Sequence, residues 1–120
     1  MRLGMITLDC LDPVPVAAWW EGILGGSTID VGESGEFLVL SGAIPGINLG
    51  FARVPDPTPG KNLIHLDFDL EAGEERAALL ASIVAAGAVH QAHHEYPGMQ
   101  WDVFQDPFGT VFCIGDAHED

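Results

Sequence analysis

The stretch KNLIHLDFDLE, Lys61 to Glu71, sets three titratable side chains on alternate positions. His65, Asp67 and Asp69 alternate with Ile64, Leu66, Phe68 and Leu70, the period of two of a strand with one apolar face. Imidazole exchanges protons near neutral pH, so His65 can bind a metal, act as a general base or contact a polar ligand. It can equally be a histidine bonded to Asp67 with no function. Asp67, Asp69 and Asp9 form a second set, able to work as acid or base among apolar walls or to attract a cation. A half-exposed sheet face carries such carboxylates without a function. Cys113 is a nucleophile only with a base beside it, and His65 is the candidate base; otherwise it is a buried inert thiol.

Three further histidines lie in VHQAHHEY, at His90, His93 and His94. On a regular strand His90 and His94 share one face and His93 takes the other, so the three do not converge on a metal. An edge strand at the surface is the expectation. Trp101 offers a stacking wall for a ligand, or ordinary aromatic packing, and Trp20 belongs to a helix core. His118 falls in a frayed tail. The chain has no glycine-rich phosphate loop, no GxSxG elbow and no P-loop lysine, which leaves kinase, hydrolase and dinucleotide functions without support.

The elements that must carry these residues can be read in order. Met5–Leu11 is a strand, with Ile6, Leu8 and Cys10 on its apolar side and Thr7 and Asp9 on the other. Asp12-Pro13 starts a helix, since Asp caps free N–H groups and Pro suits the first turn. Val16, Trp20, Ile23 and Leu24 form its stripe, and Gly25-Gly26 ends it. Strands follow at Ser27–Val31, Glu36–Leu40 and Ile47–Arg53. PDPTPG, residues 55–60, is a stiff linker. Then the order repeats: a strand over Leu63–Leu70, a helix over Gly73–Ala86, and strands over Val89–Glu95, Gln100–Phe104 and Thr110–Ile114. In the second helix Glu74 and Glu75 favour the positive N-terminus. Its apolar stripe is Leu79, Leu80, Ile83 and Val84, and Gly87 stops it.

Each half thus reads strand, helix, three strands, which predicts a pseudo-symmetric α+β fold within one domain of 120 residues. The boundaries are 1–54 for module one, 55–60 for the linker and 61–118 for module two. Thr7, Asp9, His65, Asp67 and Asp69 are expected to line a cleft.

Eighteen acids against four Lys+Arg give a net charge of −14. Residues 1–60 carry 7 acids and 2 bases, and residues 61–120 carry 11 and 2, so the excess is spread over the chain. Nucleic acid is excluded as a partner for want of a basic footprint. A cationic ligand suits an acidic cleft, and a merely solvated surface explains the charge as well. The N-terminus lacks the features of a signal peptide, and no apolar run is long enough to span a membrane. Two cysteines, Cys10 and Cys113, are too few for a disulfide scaffold, so a reduced, cytoplasmic protein is expected.

The double βαβββ order, with LDCLDPVPVAAWWEGILGG, GINLGFARVPDPTPGKNLIHLDFDL, AAGA and DPFGTVFCI, resembles the glyoxalase-like proteins of the vicinal oxygen chelate superfamily. That superfamily includes glyoxalase I, extradiol dioxygenases and bleomycin-resistance proteins. The resemblance implies a cup of curved sheets, a homodimer, and a divalent metal (Zn, Ni, Fe or Mn) held at four positions. Those positions fall on Met5, Gly50, His65 and Cys113, the last replacing the family's usual glutamate. Glycine offers no ligand and a thioether suits none of the harder metals, so no cofactor is favoured. The resemblance then implies binding of a small organic ligand in the cup, as in bleomycin resistance, through Thr7, Asp9, His65, Asp67, Asp69, Trp101 and Cys113. The alternative is a metal-dependent lyase, isomerase or dioxygenase with His65 as catalytic ligand or base, Asp67 or Asp9 standing in for a missing ligand.

Overall fold

The computed structural model describes residues 1–57, 62 and 64–117. The chain divides into two compact units, Met1–Thr58 and Pro59–Asp120. The first holds strand β1 (Met5–Cys10), helix α1 (Pro13–Leu24) and strands β2 (Ser27–Asp30), β3 (Phe37–Ile44) and β4 (Ile47–Arg53). The second repeats the order with β5 (Leu66–Asp69), α2 (Arg76–Ala85), β6 (Val89–Tyr96), β7 (Met99–Gln105) and β8 (Val111–Gly115). Each unit is a four-stranded mixed sheet, β1-β4-β3-β2 and β5-β8-β7-β6. In each, the first strand runs parallel to the last, and the other pairs are antiparallel. The fold is therefore α+β with two βαβββ modules, as the element order predicts. Among the described residues no helix is long and apolar enough to cross a membrane.

In the first unit the helix signals act as read, while β3 starts at Phe37 and runs on to Ile44 rather than ending at Leu40. Asp12 is the N-cap of α1 and accepts from the Val14 N–H, Pro13 opens the first turn, and Gly25, at φ +80°, closes the helix. Val16, Ala17 and Trp20 are buried, and Ile23 and Leu24 are half-buried. They pack over β3 and β4, where Leu40, Leu49 and Phe51 are at most 1% exposed. Gly26 sits at φ +84°, and a Cβ there would collide with the Ser41 carbonyl oxygen, so this turn admits only glycine.

The second unit departs from expectation in three places. Helix α2 begins at Arg76 rather than Gly73, because Gly73 takes φ +88° in a turn. Glu75 is its N-cap, accepting from the Ala77 and Ala78 N–H groups. Of the expected stripe only Ile83 is buried; Val84 is 49% exposed. Strand β5 is also shorter than Leu63–Leu70. Ile64, expected on the apolar face, is 77% exposed and precedes the strand. Leu63, His118 and the end of the expected linker lie outside the described residues.

The third departure concerns the histidines. His90 pairs with Phe104 but Ala92 pairs with Val103, so β6 carries one extra residue, a bulge at Gln91. An inserted residue reverses the side-chain alternation beyond it. His90 and His93 therefore share a face, contrary to the regular alternation, and His94 takes the other. Both converge on Asp102, 3% exposed: His90 Nε2 is 2.7 Å and His93 Nδ1 2.9 Å from Oδ1. Arg76 donates to Asp102 Oδ2 at 2.5 Å, to Asp116 at 3.0 Å and to the Ile114 carbonyl at 3.2 Å.

His93 also reaches Glu95 through Nε2, at 3.0 Å. A neutral imidazole has one N–H, so both nitrogens can donate to carboxylates only in the charged form. The bond to Glu95, then that to Asp102, accordingly raises the His93 pKa above 6.5. Burial pushes Asp102 up, but bonds from His90, Arg76 and His93 outweigh it and hold the group below 3.8. The signs give a two-sided profile. Stability from His93 is full below about pH 6.5 and is lost as pH rises through its folded value. Stability from Asp102 is full above about pH 4 and is lost as pH falls through its folded value. The contribution of this network is expected to be greatest between about pH 4 and 6.5. Urea midpoints across pH check it: wild type and His93→Gln should differ most near pH 5.5 and converge by about pH 9.

Candidate functional site in the second module

The opposite face of the second sheet carries the other candidates. The parallel pairing of β5 with β8 sets Asp67 beside Cys113 and Asp69 beside Gly115. On β8 and β7, Cys113 pairs with Val103 and Gly115 with Trp101. Alternation from these pairs puts Asp67, Asp69, Cys113 and Trp101 on one face, while Leu66, Phe68, Phe112, Ile114 and Phe104 turn to the other. That second face is a packed aromatic core: Phe112 lies 5.7 Å from Phe104 and 6.2 Å from Phe68.

His65 enters from the residue before β5. Asn62 holds this approach: its side chain accepts from the Val111 N–H at 2.8 Å and donates to the Val111 carbonyl at 3.3 Å. It also bonds the Ile64 carbonyl. The asparagine thus extends the β5–β8 ladder by a side chain where Ile64 turns outward. Downstream, His65 Nδ1 is 2.9 Å from Asp67 Oδ1. One ligating atom each from His65, Asp67 and Cys113 lie within 4.8 Å of one another. His65 and Asp67 are exposed, and Cys113 is 8% exposed.

These residues line a cavity of about 480 Å3, with Asp69, Met99, Gln100, Trp101 and Asp116. That volume suits a small organic molecule. Among the described residues three carboxylates line it and no lysine or arginine does. Trp101 supplies an apolar wall and is held by stacking on His94, centroids 5.1 Å apart, and on Tyr96, 5.5 Å apart. Of the residues singled out in the sequence, His65, Asp67, Asp69, Trp101 and Cys113 are brought together here. Asn62, Met99, Gln100 and Asp116 were not anticipated. Asp116 is bonded by Arg76 and Gln100, a link visible only once β7 and β8 are paired.

Thr7, Asp9, Met5 and Gly50 belong to the first unit. Thr7 and Asp9 are exposed on β1, opposite Gly50 and Ala52 of β4. A Cβ on Gly50 would stand 2.8 Å from Thr7 Oγ1 and 3.0 Å from Met5 Sδ. Glycine here makes room for its β1 neighbours, the Thr7 hydroxyl and the Met5 thioether sulfur. Among the described residues the second unit offers the fuller donor set: imidazole nitrogen, carboxylate oxygen and thiol sulfur. That mixture fits zinc better than magnesium or manganese.

The model of the glyoxalase-like domain matches residues 5–115. No curated protein gives a significant match. Among solved structures, a glyoxalase/bleomycin resistance protein/dioxygenase family enzyme from Burkholderia phytofirmans PsJN superposes with a TM-score of 0.80. It is 24% identical, over 98% of this chain and 100% of that one. The fosfomycin resistance protein FosX of Listeria monocytogenes gives 0.77 at 18% identity, over 98% and 94%. A possible glyoxalase from Bacillus cereus gives 0.72 at 15%, over 95% and 97%. At these identities the structures show a shared fold, and the domain match, spanning nearly the whole chain, shows that this protein belongs to the glyoxalase-like family of the vicinal oxygen chelate superfamily.

Proposed function

We propose that this protein binds a small, partly apolar organic cation in the cavity of its second module. The observation that supports it is the lining itself: among the described residues, three carboxylates, no lysine or arginine, and an apolar wall of Trp101 and Met99 in about 480 Å3. Carboxylates beside a partly enclosed apolar wall favour an amine or guanidine on a hydrophobic body, and they disfavour anions. Sequestration of a cationic antibiotic, as by bleomycin-resistance relatives, is the corresponding biological role. Trp101 makes the reading testable by fluorescence. A small aromatic amidine such as benzamidine, a cation that a cavity of about 480 Å3 can hold, is expected to quench it, and fosfomycin, an anion, to leave it unchanged. Trp101→Ala should weaken binding by roughly tenfold, in line with loss of an aromatic wall. Asp67→Asn and Asp69→Asn should each weaken it a few-fold, with a salt dependence. Equal affinity for anions, or unchanged binding in all three variants, would count against the proposal.

A second reading rests on one observation, the 4.8 Å grouping of His65, Asp67 and Cys113. As ligands they would hold zinc with a coordination position left for substrate, and the metal would supply Lewis-acid polarisation of a bound oxygen. In that reading His65 serves an enzyme rather than a binding protein. Dialysis against zinc should then give one ion per chain, and cobalt substitution a thiolate-to-metal absorption band lost in Cys113→Ser. No stoichiometric uptake would remove the reading.

A further inference from the structure

We infer that the charged group of the ligand is a quaternary ammonium, seated over Gly115 between the Trp101 indole and the Asp69 carboxylate. The inference rests on the cation-binding reading above and narrows it from organic cations at large to N-methylated ones.

Sheet pairing builds the seat. Gly115 of β8 pairs with Asp69 of β5 on one side and with Trp101 of β7 on the other, and all three line the cavity. Neighbouring strands lie about 4.8 Å apart, so the two side chains rise from strands roughly 10 Å apart, across a residue that has none. Gly115 is not required by its backbone, since its φ is not positive and other residues can adopt it. What it leaves is space. A Cβ there would stand 3.3 Å from Asp69 Oδ1 and 3.7 Å from the Gln100 carbonyl oxygen, so the carboxylate leans over the glycine.

The indole meets the same space. His94 and Tyr96 stack on Trp101, and both come from β6, so they back the side of the ring turned away from β8. A cation against the other side is drawn by the negative face of the ring, most strongly when the ring is tryptophan.

The carboxylates decide which cation. Asp67 is bonded to His65, Asp116 accepts from Arg76 and Gln100, and Asp69 has a partner of its own. An ammonium or guanidinium brings several N–H donors, each needing an acceptor once water is stripped away, and these groups are already engaged. A quaternary ammonium has no N–H. It takes the field of the carboxylates without displacing a bond, and its methyl groups lie against the indole and Met99.

The test is isothermal titration calorimetry of the full chain with benzyltrimethylammonium and with benzylamine, both cations at pH 7. The quaternary ligand is expected to bind at least about tenfold more tightly. Gly115→Ala should weaken it about tenfold, because a methyl group fills the seat, and should weaken benzylamine less than about threefold. Trp101→Leu, apolar but without a π face, should bring the two ligands to within about threefold of each other. In proton NMR the N-methyl signal should move upfield on binding to the wild type, as it does over an aromatic ring, and stay in place with Trp101→Leu. Benzylamine binding as tightly as the quaternary ligand would overturn the inference and leave the cation reading standing. Equal losses for both ligands in Gly115→Ala would also overturn it, since the glycine would then shape the whole cavity rather than a seat for methyl groups. If neither cation binds, the broader reading fails and this one with it.

Discussion

Trp20→Ala is expected to cost the first module about 3 to 5 kcal/mol, a large share of the 5–15 kcal/mol that holds a domain of this kind folded. Trp20 has no exposed surface and meets Trp19 edge to face at 4.9 Å. It presses α1 onto the strands that carry Leu40, Leu49 and Phe51. A 12-residue helix is marginal by itself, so α1 stays formed through this contact rather than by propensity. Relaxation cannot fill a void of indole size among side chains this well packed. The thermal midpoint should fall by more than about 10 °C, and Trp20→Phe should recover more than half of the loss. A drop of less than about 1 kcal/mol on Trp20→Ala would mean that the helix is not held through this ring.

Asp102→Ala should cost about 3 kcal/mol, the lower part of the range for breaking a buried ion pair. The lower part applies because Arg76 keeps Asp116 and the Ile114 carbonyl when Asp102 is gone. His90 and His93 lose their shared acceptor. Denaturation in urea at pH 5.5 measures the effect. The pair Arg76→Met with Asp102→Leu should regain much of the stability, since apolar replacements remove both desolvation costs together. If the double variant were as unstable as Asp102→Ala alone, the cost would lie in packing and not in an orphaned guanidinium.

Much of the scaffold was legible because its signals are local. Asp12 and Pro13 cap and open α1 within one turn, and β4 has the bounds read for it, Ile47–Arg53. The start of α2 was misplaced because Glu75 caps it through a long side chain, where Ser, Asp or Asn is the usual signal. The bulge at Gln91 was invisible because one unpaired residue leaves no mark in the hydrophobic pattern, yet it decides that His93, and not His94, joins His90. The site was legible in part. His65, Asp67 and Asp69 share a strand face by alternation alone. Their meeting with Cys113 needs the parallel β5–β8 pair, which links residues 46 positions apart, Asp67 and Cys113. Asn62 acts through a bond spanning 49 positions, and nothing in its neighbours announces it.

That parallel pairing also bears on how the chain acquires its structure. In both units the strands from the second to the fourth follow one another as antiparallel neighbours, whose closure is local and fast. The first strand must instead wait for the last, with Met5 joining Asn48 and Leu66 joining Phe112. Loop-closure entropy for such a span is spent before any pairing returns it. Each module therefore has a meander that can form early and a closing strand that arrives late. In the second module the latecomer is β5, so His65 and Asp67 reach Cys113 only as folding ends. A partly folded chain therefore lacks the donor set that the closed ladder assembles.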